Sequence, residues 1–244
     1  MLMPSPGRRS LIAIPAYNEA ATIRDVVGRV RASLPECDLL VVNDGSGDDT
    51  AALLIDSGAI VAEHICNLGY SRAIQTAVLY AARTGYDRLI TLDADGQHDP
   101  QQVQALLAQF DVEQLDVLIG SRYVVSRSYA GVPFGRRIGM QLFSRLVAVT
   151  AGRRIYDTTS GLKVIGRRAF EPLTQWHFID FHAEALVYLM RLGFRVGEFP
   201  VTVVERRHGR SMYSTISLLK YPLKTLLMLL LGVIQADLTR KRAS

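Results

Sequence analysis

Arg88-Leu89-Ile90-Thr91-Leu92-Asp93-Ala94-Asp95-Gly96-Gln97-His98-Asp99-Pro100 runs from an apolar stretch into an acidic loop and out toward a helix start. The short run Leu89-Ile90-Thr91-Leu92, bounded by turn residues, reads as a buried strand. Asp99-Pro100 reads as a helix start, because proline at the first helical position lacks only an N–H that would have no partner there. Between them Asp93, Asp95 and Asp99 repel one another unless positive charge sits among them. A divalent cation is the simplest source of that charge. Hard oxygen ligands suit Mg²⁺ or Mn²⁺, and such ions usually also hold a substrate phosphate. A solvated turn is the competing reading, and the neighbouring segments decide between the two.

Working outward, the same strand–loop–helix unit recurs. Residues 10–14 form an apolar run ending in Pro15, followed by a helix over 19–34 with Ile23, Val26, Val27, Val30 and Leu34 at helical spacing. Residues 39–42 read as a second strand, closed by the turn Asn43-Asp44-Gly45-Ser46-Gly47. A helix from Asp49 or Thr50, a strand over 59–64, a helix over 71–84, the strand over 88–92, a helix over 100–110 and a strand over 117–121 follow. Such alternation predicts a parallel α/β sheet. Ligands of these sheets bind outside the carboxyl ends of the strands, where all three polar clusters (17–19, 43–49 and 93–99) fall. Farther on, 123–135 reads as a loop, 139–150 and 182–192 as helices and 161–165 as a strand. Residues 195–204 read as a strand pair or one bent strand, since Pro200 excludes a regular central ladder.

At 244 residues the chain affords one large core, and 49% apolar composition is ordinary for a globular protein. An excess of 28 Lys+Arg over 23 Asp+Glu suits phosphate-bearing partners, but no basic stripe interleaved with aromatics points to nucleic acid. Cys37 and Cys66 have no disulfide or zinc spacing and read as reduced cytosolic thiols. No apolar run follows Arg8-Arg9, so no signal peptide is expected. His177, His182 and His208 share no metal-ligand spacing.

Each cluster also has an ordinary explanation. Asn18 can cap the first helix and Glu19 can favour its positive end. Turn formation accounts for Gly45, Gly47 and Asp49 but leaves Asp44 free to meet a ligand. Downstream, Asp180 and Glu184 are the convincing candidates for a general base, although Glu184 equally suits an ordinary helix position.

Together the segments resemble a known family. Ile14-Pro15-Ala16-Tyr17-Asn18-Glu19, Val41-Val42-Asn43-Asp44-Gly45-Ser46, Asn67-Leu68-Gly69-Tyr70 and Leu92-Asp93-Ala94-Asp95-Gly96-Gln97-His98 appear in that order. Gly120-Ser121-Arg122-Tyr123, Asp157-Thr158-Thr159-Ser160-Gly161-Leu162-Lys163 and Arg206-Arg207-His208-Gly209-Arg210-Ser211 follow. The series, over residues 10–212, resembles the family 2 glycosyltransferases of GT-A fold, and most closely their dolichol-phosphate mannosyltransferase-like branch. The resemblance implies a Rossmann-like, mostly parallel sheet with flanking helices. It implies Pro15, Tyr17, Glu19 and Asp44 in donor binding, with Asp93, Asp95 and Gln97 holding Mg²⁺ or Mn²⁺ against the donor diphosphate. Arg122 would lie close to the donor. Arg136 or Arg137, with Arg206 and Ser211, would receive an acceptor phosphate. Asn43 stands where the branch often has Asp, a departure that bears on base contacts.

The implied reaction moves a sugar from a UDP- or GDP-linked donor to a polyprenyl phosphate with inversion, since no second carboxylate is placed to form a covalent glycosyl intermediate. In it Asp95, Arg122 and Arg206 carry the chemistry, and Asp180 or Glu184 is the base if one is needed. Two alternatives stay open: transfer to a saccharide or protein hydroxyl in cell-envelope polysaccharide synthesis, and a non-catalytic nucleotide-sugar-binding scaffold for a membrane partner. Residues 213–244 read as a separate amphipathic tail, an apolar helix pair broken by Pro222 and edged by Lys220, Lys224 and Arg240-Lys241-Arg242. Its apolar core, 226–234, falls short of the roughly 20 residues a membrane span needs. That composition fits a segment lying on anionic lipid at the cytoplasmic face, with a membrane-embedded protein as a conceivable partner. Packing on the domain or on another subunit is the alternative for the tail.

Overall fold

The computed structural model describes residues 7–126, 134–203 and 217–243. Its seven-stranded sheet has the order β3 (Ile60–Glu63), β2 (Asp38–Asn43), β1 (Ser10–Ala16), β4 (Arg88–Thr91), β6 (Lys163–Gly166), β5 (Val117–Ser121), β7 (Val196–Pro200). Every neighbouring pair is parallel except the two that β6 makes, with β4 and β5. Side-chain alternation divides the core into two layers, as period two requires. Leu11, Ala13, Leu40 and Val42 point to the layer of α3 (Tyr70–Thr84) and α7 (Ala183–Arg191). Ile12, Ile14, Leu39 and Val41 point to that of α1 (Ile23–Ser33) and α4 (Pro100–Glu113). Because both faces are covered, these strands read as continuous apolar runs.

The first strand runs past Ile14 to Ala16. Its register with β4 stops at Ala13, so the missing N–H of Pro15 interrupts no bond on that side. The β1–β4 pairing ends there, and the loops beyond it leave the sheet where the strand order reverses, the usual place for a ligand in such sheets. The first helix begins at Ile23 rather than 19, and Asn18 does not cap it. Asn18 has φ of 54°, and the Glu19 carbonyl instead accepts the N–H groups of Thr22 and Ile23. Asp99 does cap α4, accepting the Gln101 N–H at 3.0 Å, with Pro100 next as expected. Pro200 closes β7, an edge strand, which is where a ladder tolerates proline.

The remaining helices are α2 (Thr50–Leu54), α5 (Phe134–Ala151), α6 (Phe170–Gln175) and α8 (Ser217–Ala243). α8 is one helix that continues through Pro222, not the expected pair. From Met228 onward it packs on α7. Gly232 crosses so closely that a Cβ there would lie 2.7 Å from the Glu184 carbonyl oxygen. Trp176 Nε1 donates to Thr239 Oγ1 at 3.0 Å, and Arg191 pairs with Asp237 at 3.0 Å. Among the described residues, no helix is long and apolar enough to cross a membrane.

Candidate active site

The loops after β1 and β2 are sewn together. Asn18 N–H donates to Ser46 Oγ at 3.0 Å and Gly47 N–H to the Asn18 side-chain oxygen at 2.9 Å. Glu19 N–H donates to Thr50 Oγ1 at 2.9 Å and Ala20 N–H to Asp48 at 3.1 Å. Half of the Tyr17 ring is left at the surface beside them, whereas the Glu19 carboxylate accepts from Thr22 Oγ1 at 2.9 Å. Pro15 is half-buried at the strand end.

Asp44 is not free, contrary to expectation. It is buried, with one oxygen accepting from Leu68 N–H at 2.9 Å and lying 2.6 Å from His64 Nδ1, and the other accepting from Gly69 N–H at 2.8 Å. Thr76 Oγ1 closes the chain at 2.9 Å from His64 Nε2. Asp44 therefore folds the 66–69 segment over the β2 turn. Gly45, at φ +67°, permits that approach, since a Cβ there would sit 2.4 Å from the Cys66 backbone.

In the acidic loop, Asp95 is buried and accepts the Gln97 N–H at 3.0 Å. The Asp93 carboxylate is seated on Gly161, where a Cβ would fall 2.0 Å from Oδ2. Thr91, at the end of β4, donates to the Gly161 carbonyl at 2.5 Å and so holds that seat in place. Among the described residues no three His, Cys, Asp or Glu side chains close on one point. Asp93, Asp95 and Gln97, the residues expected to hold a cation, offer two carboxylates and one amide oxygen. That donor set fits Mg²⁺ or Mn²⁺, which are commonly held by one or two carboxylates plus substrate oxygens.

The chain also supplies positive charge of its own. Lys163 is buried, its ammonium donating to the Ser160 carbonyl and lying 3.1 Å from His182 Nδ1. Burial pulls its pKa down to about 8, opposed first by the nearby charge of Asp93. Arg122 makes a bidentate pair with Asp157, at 2.7 Å through Nε and 2.8 Å through Nη2. Its own N–H donates to the same carboxylate at 3.0 Å. Burial works against the Arg122 charge, but the bonds to Asp157 outweigh it and raise the pKa. Behind this pair, Glu198 accepts the N–H groups of Tyr156 and Asp157, each at 2.8 Å. Burial pushes the Glu198 carboxyl up.

The two base candidates part company. Glu184 is fully buried, accepts the N–H groups of Ile179 and Asp180, and takes Gln235 Nε2 of α8 at 2.8 Å. Burial raises its pKa, and its bonds tie the 179–180 backbone to α8. With both oxygens taken by these bonds it sits as a structural anchor rather than a base. Asp180 is half-buried and caps α7, its Oδ1 accepting from His182 N–H at 2.8 Å and Ala183 N–H at 2.9 Å. Arg137 lies half-buried in α5 and Arg136 precedes it in the same helix. Arg206 and Ser211 lie outside the described residues.

Lys163, His182, Tyr70 and His98 were not singled out from the sequence as site residues. His98 is buried, burial brings its pKa to about 4, and Nδ1 has no hydrogen-bond partner among the described residues. The available signal was Lys163, a lone charge in the apolar strand Leu162-Lys163-Val164-Ile165.

Residues 11–174 match the family described as Glycosyl transferase family 2. The chain is 32% identical over 220 residues to polyprenol monophosphomannose synthase of Mycolicibacterium smegmatis, covering 86% of this chain and 82% of that one. It is likewise 32% identical over 220 residues to undecaprenyl-phosphate mannosyltransferase of Micrococcus luteus, covering 84% and 88%. Among solved structures, glucosyl-3-phosphoglycerate synthase from Mycobacterium tuberculosis in complex with Mn²⁺, UDP-glucose and phosphoglyceric acid superposes with a TM-score of 0.67. That likeness spans 93% of this chain and 80% of that one at 20% identity, a likeness of fold.

Proposed function

The chain belongs to glycosyl transferase family 2, and from that membership we propose that it transfers a sugar from a nucleoside-diphosphate donor to a polyprenyl phosphate with inversion. The observation that carries this reading is the set of loops beyond β1, β2 and β4, where the first two interlock and the third seats Asp93 on Gly161. Pro15, Tyr17 and Glu19 line the nucleotide end. Asp44 serves it indirectly, by holding the 66–69 segment. Asp93, Asp95 and Gln97 would hold Mg²⁺ or Mn²⁺, which when bound offsets the charge gathering on the departing diphosphate. Arg122 and Lys163 add fixed positive charge beside them.

The names of the two curated relatives support a lipid phosphate as acceptor. The fate of Glu184 supports it too. A hydroxyl acceptor needs a positioned base, and Glu184 is spent on the fold. A phosphate monoester, with a second pKa of about 6, is already largely ionised at neutral pH. It needs orienting instead, for which arginine's planar fork is suited, and Arg136, Arg137 and Arg206 with Ser211 are the proposed groups. The test incubates purified protein with Mn²⁺, UDP- and GDP-linked sugars and a short polyprenyl phosphate, and identifies products by mass. A lipid-linked monophosphosugar, abolished by chelator, is expected. Transfer only to saccharide or protein hydroxyls, or none with any donor, overturns the proposal.

The exposed face of α8 supports a peripheral seat at the cytoplasmic side of the membrane. Leu226, Leu230, Ile234 and Leu238 recur every four residues, all exposed, ahead of Arg240, Lys241 and Arg242. On α5, beside α8, Leu142 and Val149 are also exposed. Such a face with a basic end suits anionic lipid. Replacing those four α8 residues by serine should abolish co-sedimentation with anionic vesicles and leave the melting temperature within a few degrees. Undiminished sedimentation would remove the membrane reading.

A further inference from the structure

Two polar groups beside Tyr70 and Lys163 have no task in the scheme above: the ring of His182 and the second oxygen of Asp180. His182 lies between the two halves of the donor site. Its ring stacks on Tyr70, with centroids 4.8 Å apart and planes 14° apart, and Tyr70 directly follows the Gly69 whose N–H binds Asp44. On its other side, Nδ1 meets the ammonium of Lys163, two residues beyond the Gly161 that seats Asp93. An ammonium only donates. His182 Nδ1 must therefore accept, and the ring's proton is on Nε2. Burial, reinforced by the charge of Lys163, keeps His182 neutral by bringing its pKa to about 3. Nε2 has no hydrogen-bond partner among the described residues, and it is not sealed from solvent.

Asp180 is held in the same turn. Its Oδ1 is used by the His182 and Ala183 N–H groups, while Oδ2 has no partner among the described residues. A donor and an acceptor therefore belong to one turn, each held by backbone or ring contacts before any ligand arrives. Hydroxyl groups both donate and accept, and a nucleoside-diphosphate sugar carries them on the sugar.

We propose that His182 Nε2–H and Asp180 Oδ2 together recognise hydroxyls of the transferred sugar and so determine which sugar is accepted, with Lys163 and Tyr70 as positioning residues. This rests on the glycosyltransferase reading and names the specificity determinant of that site. It also gives Asp180 a binding task in place of the base that a phosphate acceptor does not require.

The experiment measures Kd, in Mn²⁺, for UDP, UDP-glucose, UDP-N-acetylglucosamine, GDP and GDP-mannose. Its readout is the sugar increment, the ratio of Kd for the bare diphosphate to Kd for the sugar nucleotide. For the preferred donor, His182→Ala and Asp180→Ala should each reduce that ratio by roughly tenfold, the scale of one lost hydrogen bond. Affinity for the bare diphosphate should stay unchanged. His182→Gln, whose amide nitrogen reaches the Nε2 position, should recover most of the increment. An unchanged ratio overturns the proposal. So does an equal loss for diphosphate and sugar nucleotide, which marks a structural role only. An Asp180→Asn protein with an intact ratio but lost turnover overturns it in favour of a base. A sugar increment that falls in both alanine variants, in a protein that does not transfer to polyprenyl phosphate, supports it while overturning the acceptor assignment.

Discussion

A Gly161→Ala protein should fold normally and lose sugar transfer by on the order of 1,000-fold, the effect of removing one electrostatic stabiliser from a polar site. The added Cβ would lie 2.0 Å from Asp93 Oδ2 and 2.2 Å from its Cγ and Oδ1. It cannot retreat, because the Gly161 carbonyl is tied to Thr91 at 2.5 Å and the next residues enter β6. The carboxylate must swing away instead, and its oxygens leave the position from which they are proposed to serve the cation and donor diphosphate. The measurement is kcat/KM for transfer in Mn²⁺, alongside circular dichroism and thermal melting. Gly139→Ala is the control, since a Cβ there meets nothing within 4 Å. If the Gly161 variant keeps a tenth of wild-type kcat/KM, Asp93 does not matter in the way argued.

The Asp157→Ala substitution should cost both stability and activity. Asp157 is fully buried and accepts three bonds from Arg122 and a weak one, at 3.4 Å, from Thr159 Oγ1. Removing it leaves a guanidinium only 24% exposed without its partner. Breaking a buried pair costs about 3–5 kcal/mol, and the partial solvent contact of Arg122 places this case near 3. At roughly 2–4 °C per kcal/mol for a chain of this size, the melting temperature should fall by about 6–12 °C. Transfer should fall with it at temperatures where the variant is still folded, because the Arg122 head is no longer fixed beside the site. A melting temperature within about 2 °C of wild type would mean that the clamp contributes nothing to the fold.

The parts of the site that were legible in the sequence are those built from neighbours in the chain. Asp93, Asp95 and Gln97 share one loop, and Asp99-Pro100 starts α4 as its residue types dictate. The interlock of the first two loops was not legible, so Asn18 was read as a helix cap when it bonds Gly47 instead. Asp44 was read as free because the 66–69 segment that covers it is 24 residues away. Glu184 reads equally as a base or an ordinary helix residue in the sequence, because nothing local announces that Gln235, 51 residues on, will occupy it.

Apolar periodicity alone determined the alternation of strands and helices, the loops that fall at strand ends and the two-sided burial of the central strands, because those follow from φ/ψ preferences and side-chain period within each segment. Only the tertiary structure decided that β6 runs against its neighbours, which brings Gly161 beneath Asp93 and Lys163 beside it across 70 residues of chain. Only it decided that α8 docks on α7 as a single helix and that Gln235 occupies the Glu184 carboxylate. The physical reason is the same in each case. A pattern within one segment sets which face is buried, but the partner that meets that face is chosen by how all the layers pack at once.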